Sequence, residues 1–310
     1  MLVVDKPAGP TSFEVVARVR RALRLGKAGH AGTLDPAATG VLVVCLEDAV
    51  RLQQFLTGGE KAYLATVAFG AATDTQDAEG RVVAEADASG IAEEAVRSAL
   101  RGFLGEVEQV PPMYSAVRVG GRRLHEAARA GEEVPRPARR VRIDALDLLE
   151  LLPPEGGRRL ARLAVRCGKG TYVRALAADL GGALGVPAHL AALRRTASCG
   201  FGLDQAIPLA ELEAAARAGG PEALRPRLVP MARALGAMPR VEVESAQALD
   251  LVHGRSIATA SSHPRGTLVG VVDGQLRLVA VCAAEEGRLK PVRVFLLAPA
   301  LASGADPQDH

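Results

Sequence analysis

Several residue types are scarce in this chain, and each scarcity argues against a class of protein. The 310 residues include no tryptophan, three tyrosines, five lysines and four cysteines. The cysteines form no Cys-x-x-Cys pair and the six histidines do not cluster with them, which argues against a disulfide framework and a structural zinc site. No apolar run reaches membrane-spanning length. The opening segment MLVVDKPAGP has no basic stretch ahead of an apolar one, so we expect no signal peptide and a cytoplasmic location.

The overall composition is that of an ordinary globular protein, with 48% apolar and 24% charged residues. A chain of this length suits one large domain plus a small one. The net charge of +3 says little about partners, but residues 118–142 hold eight arginines against three glutamates. A solvated charged surface and a flexible arm that binds phosphates both explain such a segment, and the sequence alone leaves both open.

Hydrophobic periodicity predicts alternating helices and strands along most of the chain. Thr11 and Glu14 form a capping-box pattern ahead of a helix over 13–23. The polar turn at 73–80 carries several carboxylates but lacks the spacing of a calcium loop, so we interpret it as a hairpin. The other predicted strands are 2–4, 41–46, 61–69, 81–86, 141–150 and 160–167, and the other predicted helices are 91–104, 171–184 and 208–236.

The pattern changes near residues 238–239, where a smaller β-rich region begins. A short helix over 245–252 precedes apolar strands at 267–272, 275–284 and 288–296. Asp273 and Gly274 lie between two of these strands, which predicts a two-residue hairpin turn. We therefore expect a separate small module at the end of the chain.

A polar loop punctuated by glycines, with Asp35 at its centre, precedes the apolar strand predicted at 41–46. Asp35 could cap a single helical turn that starts at Pro36. Alternatively, Asp35 is a functional carboxylate on a loop that a rigid strand holds in place. Pro36 restricts the backbone of Asp35 to extended geometry in either case.

The string GHAGTLDPAATG at positions 29–40 resembles the catalytic loop of the TruB family, the tRNA pseudouridine-55 synthases. The resemblance extends over residues 1 to about 200. It implies an α+β fold with a central mixed, largely antiparallel sheet flanked by helices. The implied catalytic domain is 1–235, with 118–142 as a basic arm that grips RNA, and residues 240–305 resemble a PUA domain, an RNA-binding module.

The resemblance implies an isomerase that converts uridine to pseudouridine at position 55 in the T-loop of tRNA. Such an enzyme flips the target base out of its stack and needs no cofactor or metal. The implied partner is the T stem-loop of tRNA, bound by a monomer with no membrane and no obligatory protein partner. Asp35 is the implied catalytic carboxylate, and it would either attack C1′ or take a proton from C2′. The sequence leaves these two routes open.

Three further residues would complete the catalytic pocket by the same resemblance. Arg174, in the block KGTYVR at 169–174, would pair with Asp35 and keep its pKa low. Tyr63 would stack on the uracil and accept the C5 proton, and Tyr172 would line the pocket. Without the resemblance, either tyrosine is better explained as a core or interface residue. Arg174 would be a surface arginine at the start of a helix, a position that the helix dipole disfavours.

The remaining assignments concern contacts with RNA. His30 matches the histidine that fills the gap left by the flipped base, and Leu193 matches a leucine that touches the base. Lys6, Lys169 and Arg194 would bind phosphates, which position RNA without reading its sequence.

Two other functions remain as alternatives at this point. A binding protein, such as an RNA chaperone, could use the same basic surface without chemistry. A glycosidase or nucleosidase could use Asp35 as its nucleophile, but the sequence places no second carboxylate clearly as a general acid.

Overall fold

The computed structural model describes residues 1–114, 118–119, 122–123, 134–236 and 238–295. Strands dominate these ranges. In chain order they are β1 (Leu2–Lys6), β2 (Ala28–His30), β3 (Thr39–Leu46), β4 (Lys61–Phe69), β5 (Ala71–Thr73), β6 (Val82–Glu85), β7 (Gly105–Gln109), β8 (Arg118–Val119), β9 (Arg122–Arg123), β10 (Arg139–Leu151), β11 (Arg159–Cys167), β12 (Ala188–Ser198), β13 (Phe201–Gly202), β14 (Ile207–Pro208), β15 (Arg240–Glu242), β16 (Ile257–Ala258), β17 (Leu268–Val272), β18 (Leu278–Glu285) and β19 (Arg288–Val294).

The helices are short, and none within the described ranges is long and apolar enough to cross a membrane. The α-helices are α1 (Ser12–Ala22), α2 (Gln53–Leu56), α3 (Glu93–Arg101), α4 (Val173–Ala183), α5 (Leu209–Gly219), α6 (Met231–Ala234) and α7 (Ser245–Val252). Short 3-10 helices lie at Glu47–Leu52, Leu203–Gln205 and Pro221–Arg227. The predicted capping box is confirmed, because Thr11 accepts a bond from the Glu14 amide and Glu14 accepts one from the Thr11 amide.

Ten strands form one large sheet in the order β14-β1-β3-β12-β4-β11-β10-β7, with β2 beside β3 and β13 beside β12. In the part of the chain that is described, β1 with β14 and β3 with β12 pair in parallel, and the other neighbours are antiparallel. The expected mixed, largely antiparallel sheet with flanking helices is therefore confirmed. The three central strands β3, β12 and β4 meet near Gly40, Arg195 and Tyr63.

Strands β1 and β3 are buried on both faces, which explains the unbroken apolar run in β3. On one face, Leu2 and Leu42 pack with residues of α1 and α5. On the other face, Val3 and Val43 pack with residues of the C-terminal sheet, including Val272 and Val281, and with Phe295, which follows β19. A third cluster fills the space between the sheet and helices α3 and α4. Each fully buried aliphatic side chain contributes roughly 1.5–3 kcal/mol to stability.

The C-terminal region forms a second sheet of five strands in the order β15-β17-β18-β19-β16, so the expected β-rich region is present. Its predicted two-residue turn is wrong, because the loop between β17 and β18 runs from Asp273 to Arg277. The Asp273 amide donates to the Arg277 carbonyl at 3.1 Å and Leu276 adopts a positive φ of 59°. The Asp273 carboxylate accepts from the amides of Gln275 and Arg277, and this stabilises the longer loop.

Two other predictions need correction. The helix predicted over 208–236 is broken into α5, a 3-10 helix and α6, because Gly220 has a φ of +68° and prolines 221, 226 and 230 follow. The predicted basic arm at 118–142 lies partly outside the described residues, because positions 120–121 and 124–133 are not described. Its described parts are the pair β8–β9 and residues 134–142, of which 139–142 are the first residues of β10 rather than a flexible arm.

Candidate active site

The Asp35 loop, residues 31–38, connects β2 to β3 and forms a turn rather than a helix. The Asp35 carbonyl accepts a hydrogen bond from the Ala38 amide at 3.1 Å, and Thr39 already belongs to β3. The interpretation of Asp35 as a helix cap is therefore wrong. Gly40, the second residue of β3, has a φ of +103°, and a Cβ at this position would lie 2.1 Å from the Arg195 carbonyl oxygen. Only glycine satisfies both constraints.

Lys6 holds the Asp35 loop from inside the protein. Its side chain is fully buried, and its ammonium donates to the carbonyls of Pro7 and Pro36 at 2.9 Å and of Ala38 at 2.7 Å. Burial lowers the pKa of Lys6. Because an ammonium has three donors and all three are used, the predicted contact between Lys6 and a phosphate is wrong. Lys6 fixes the backbone on the C-terminal side of Asp35 instead.

Arg195 holds the N-terminal part of the same loop and was not singled out from the sequence. Its guanidinium is fully buried and donates to the carbonyls of Val41 at 2.7 Å, Gly32 at 3.0 Å and Thr33 at 3.2 Å. The sequence does carry a signal, because neighbouring residues in a strand face opposite sides. One of the adjacent arginines 194 and 195 had to point inwards.

Helix α1 is attached to the loop through its first turn. Ser12 is buried, and its hydroxyl accepts from the Leu34 amide and donates to the Leu34 carbonyl, both at 2.9 Å. The Gly9 amide donates to the Pro36 carbonyl at 3.0 Å. The residues on both sides of Asp35 are therefore fixed by hydrogen bonds from outside the loop.

The carboxylate of Asp35 faces a buried arginine, as expected from the sequence. Arg174, in the first turn of α4, places its Nε 3.1 Å from Oδ2 of Asp35. Its Nη1 lies 3.2 Å from Oδ2 of Asp77 and donates to the Thr75 carbonyl at 3.1 Å, and its Nη2 donates to the Tyr114 carbonyl at 2.8 Å. One guanidinium therefore holds two carboxylates.

Asp77 is a site residue that sequence reasoning missed. It belongs to the polar turn 73–80, where several carboxylates occur and nothing marks one of them. Its Oδ1 accepts from the Thr75 hydroxyl at 2.5 Å and from the Glu79 amide at 3.1 Å. Its side chain is 13% exposed. The turn therefore presents Asp77 to Arg174, 97 residues away in the chain.

Burial raises the pKa of the Asp35 carboxyl above its ordinary value. The charges of Arg174 and Lys6 act in the opposite direction, and the charge of Asp77 adds to the rise. The expectation that the cation holds this pKa low is therefore wrong, because desolvation is the larger effect. The side chain of Asp35 is still 43% exposed, so a ligand can reach it.

The two predicted pocket tyrosines lie on elements next to the loop. Tyr63, on β4, is 8% exposed and is the register partner of Arg195. Burial raises the pKa of its hydroxyl, and the charge of Asp35 contributes to the rise. Tyr172 is the residue that caps α4, and its backbone amide and carbonyl bond to the side chain of Gln109 at 2.7 and 3.0 Å.

His30 ends strand β2, at the start of the Asp35 loop. Its ring contacts the ring of Phe13 edge to face, with centroids 5.2 Å apart and an interplanar angle of 75°. Burial lowers the pKa of His30, and the charge of Arg195 lowers it further. The imidazole is therefore suited to packing against a neutral ring.

The remaining predicted RNA contacts differ in their surroundings. Leu193 lines a cavity of about 430 Å³ on the face of the sheet. Arg194 lines the same cavity, but its guanidinium pairs with Asp5 at 2.7 and 3.2 Å, so it is already engaged. Lys169 is exposed. Across the described ranges, no three His, Cys, Asp or Glu side chains are grouped as metal ligands would be.

Three family profiles match the chain in succession. The profile described as "TruB family pseudouridylate synthase (N terminal domain)" matches residues 20–173. Two profiles follow, "tRNA pseudouridylate synthase B C-terminal domain" at 174–236 and "tRNA Pseudouridine synthase II, C terminal" at 238–296. The Asp35 loop falls within the first match, and Arg174 is the first residue of the second match.

Similar proteins carry names that agree with these profiles. The tRNA pseudouridine synthase B of Symbiobacterium thermophilum is 54% identical over 249 residues, which are 80% of each chain. The tRNA pseudouridine synthase B of Pseudomonas aeruginosa is 43% identical over 296 residues, which are 95% of each chain.

Solved structures of related proteins share the fold. A chain of the "H/ACA RNP bound to a substrate RNA containing 2'-deoxyuridine" superposes with a TM-score of 0.73 and 28% identity, covering 95% of this chain and 84% of that one. A chain of the "archaeal box H/ACA sRNP Nop10-Cbf5 complex" gives 0.72 and 26%, covering 97% and 87%. Together with the profiles and the sequence relatives, these likenesses establish that the chain belongs to the TruB family of pseudouridylate synthases.

Proposed function

We propose that this protein isomerises the uridine at position 55 in the T-loop of tRNA to pseudouridine, as a cytoplasmic monomer without a cofactor. The observation that carries the proposal is the partly exposed carboxylate of Asp35, fixed 3.1 Å from the buried guanidinium of Arg174. The names of the relatives support tRNA as the substrate.

In the proposed reaction the N1–C1′ bond breaks, the uracil rotates, a C5–C1′ bond forms and the C5 proton leaves. Asp35 begins it as an ionised carboxylate, either by attack on C1′ or by removal of the C2′ proton. Its raised pKa makes the carboxylate a stronger nucleophile and base than an ordinary aspartate. Arg174 aims the carboxylate and, shared with Asp77, does not neutralise it fully.

The rest of the site would bind the flipped base. Tyr63 and Tyr172 line the pocket, with Tyr63 against the uracil as proton acceptor, and Leu193 contacts the base edge. His30 fills the gap in the RNA. Lys169 and the basic segment bind phosphates, and the exposed part of Arg194 adds a further phosphate contact beside its pair with Asp5. These roles rest on the family resemblance.

The two alternatives explain less of the site. A protein that only binds RNA has no need for a carboxylate with a raised pKa beside a buried arginine. A glycosidase needs a general acid. The nearest second carboxylate, Asp77, already accepts bonds from Arg174, Thr75 and the Glu79 amide, so it is not free to protonate a leaving group.

The test uses unmodified tRNA transcript labelled with tritium at uridine C5. Wild-type protein should release tritium and convert the T-loop uridine. Asp35→Asn should lose about 10⁴-fold or more in rate, because it removes the reacting group. Asp48→Asn is the matched control, since its exposed carboxylate lies in a surface pair with Arg51. Binding without tritium release by the wild type would overturn the proposal and favour an RNA-binding role.

A further inference from the structure

Phe13 is a large aromatic side chain that the reaction described above does not use. It is 74% exposed, more than any other large apolar side chain among the described residues. The chain has only nine residues of the Phe, Tyr and Trp types. An aromatic side chain that is left exposed in such a chain points to a binding role. Its ring packs edge to face on His30, at the start of the Asp35 loop.

The position of Phe13 is fixed relative to the loop. Its neighbour Ser12 bonds to both backbone groups of Leu34, the residue before Asp35. The capping box of Thr11 and Glu14 fixes the first turn of α1 on the other side. A ring held in this way loses little conformational freedom when a flat group stacks on it.

Exposed cations follow Phe13 along α1 and beyond the end of the helix at Ala22. Arg20 lies seven residues further on and therefore on the same helical face as Phe13. Arg24 and Lys27 follow, and all three are exposed. In the part of the chain that the structure describes, none of the three makes a side-chain ion pair within 4 Å. An exposed ring followed by unpaired cations favours a nucleic acid strand over an apolar protein surface, because bases stack while phosphates bind cations.

We propose that Phe13 and His30 form an aromatic step that receives a nucleobase of the RNA strand next to the flipped uridine. The exposed face of Phe13 stacks on this base, and its edge holds the His30 ring in the gap. This inference rests on the proposed function for the identity of the RNA. It adds a binding residue on α1 that carries the strand away from Asp35 towards Arg20.

The protein side of the test measures the affinity of a T stem-loop RNA by filter binding, in an Asp35→Asn background so that the RNA is not converted. Phe13→Ala should weaken binding roughly 5- to 150-fold, the range for loss of one base–aromatic stack. Phe13→Tyr should bind like the parent, and Phe13→Leu should remain weakened, because leucine keeps apolar bulk but lacks a flat face. Val83→Ala, at an apolar side chain that is 64% exposed on β6, is the matched control and should change nothing.

The RNA side of the test places an abasic nucleotide at each T-loop position in turn. With one of these RNAs, Phe13→Ala should cause no further loss, because the stacking base is already missing. An equal loss with every abasic RNA, or Phe13→Leu binding like the parent, would overturn the inference. Tritium release by Asp35-containing protein is scored separately. Release without a Phe13 effect defeats the aromatic step alone, and a Phe13 effect without release defeats the proposed reaction alone.

Discussion

Three buried cations surround the Asp35 loop, and they bind two different kinds of oxygen. Lys6 and Arg195 donate to carbonyl groups of the loop and its flanks, whereas Arg174 faces the carboxylates of Asp35 and Asp77. The first two cations fix where the loop lies. Arg174 fixes the direction and the charge of one side chain on it. Buried cations therefore have two roles around Asp35: two of them position the backbone of the loop, and the third orients the carboxylate.

The cations that hold backbone also affect the electrostatics of the site. Burial is the main cause of the lowered pKa values of His30 and Lys6, and the charge of Arg195 lowers both further. Lys6 and Arg195 hydrogen-bond to carbonyls rather than to carboxylates, so each adds a positive contribution to the electrostatic potential at the loop. Such a potential attracts RNA phosphates and stabilises negative charge that develops near the loop.

Arg195→Met removes one of the two cations that fix the backbone of the Asp35 loop, and it should have the largest effect. Three carbonyls lose a buried donor, so the free energy of unfolding should fall by about 3–5 kcal/mol in urea denaturation. The adjacent Arg194→Met is the control and should change it by about 1 kcal/mol or less, because Arg194 is 40% exposed in its pair with Asp5. If both variants lost the same free energy of unfolding, the burial of Arg195 would not explain its contribution to stability.

Arg174→Gln removes the cation that faces the Asp35 carboxylate. The single-turnover rate of tritium release should fall about 100- to 1000-fold, because the carboxylate loses the donor that aims it. Affinity for the T stem-loop should change far less. Arg174→Lys keeps the charge without the planar fork and should fall between the two. A rate close to that of the wild type would mean that Arg174 serves only the fold.

The pH dependence of the rate should separate the effects of Arg174 and Asp77 on Asp35, and this effect is smaller. Because the reaction needs ionised Asp35, the rate falls as the pH drops through its pKa, which burial raises. Asp77→Asn removes a charge that raises this pKa, so the acid limb should move to lower pH. Arg174→Gln removes a charge that lowers it, so the limb should move to higher pH. Identical acid limbs in rate measurements across pH would show that the limb belongs to another group.

Lys169→Gln should have the smallest effect, since this lysine is exposed. If it binds a phosphate, affinity for all RNA sequences should weaken by a similar factor, and the slope of log K against log salt should decrease by about 1. Arg101→Gln, in an exposed pair with Glu94 on α3, should leave the slope unchanged. An unchanged slope for Lys169→Gln would remove it from the interface.

Features encoded by neighbouring residues could be predicted from the sequence. The capping box of α1 and the bounds of helix α7 are as predicted, because capping and periodicity are local. The loop around Asp35 and its ion pair with Arg174 came from the family resemblance rather than from physical patterns.

Features that depend on how deeply a side chain is buried, or on contacts between distant parts of the chain, could not be predicted. A lysine in a polar segment looks like a phosphate ligand, and only the fold reveals that Lys6 is buried with all its donors used. Asp77 looks like any carboxylate of a turn until Arg174 is placed beside it. The expectation of a low pKa for Asp35 is wrong for the same reason, because desolvation depends on everything that surrounds the carboxyl group.

The bonds from Arg195 to the loop also impose an order of events on folding. They join residues that are 154 to 163 positions apart, and such distant contacts form late because the intervening chain must first be closed into a loop. During synthesis, the Asp35 loop lacks the bonds from Arg195 until β12 has left the ribosome and inserted between β3 and β4. Catalytic competence therefore reports on completion of the central sheet, and an incomplete chain that ends before β12 carries Asp35 but has no site.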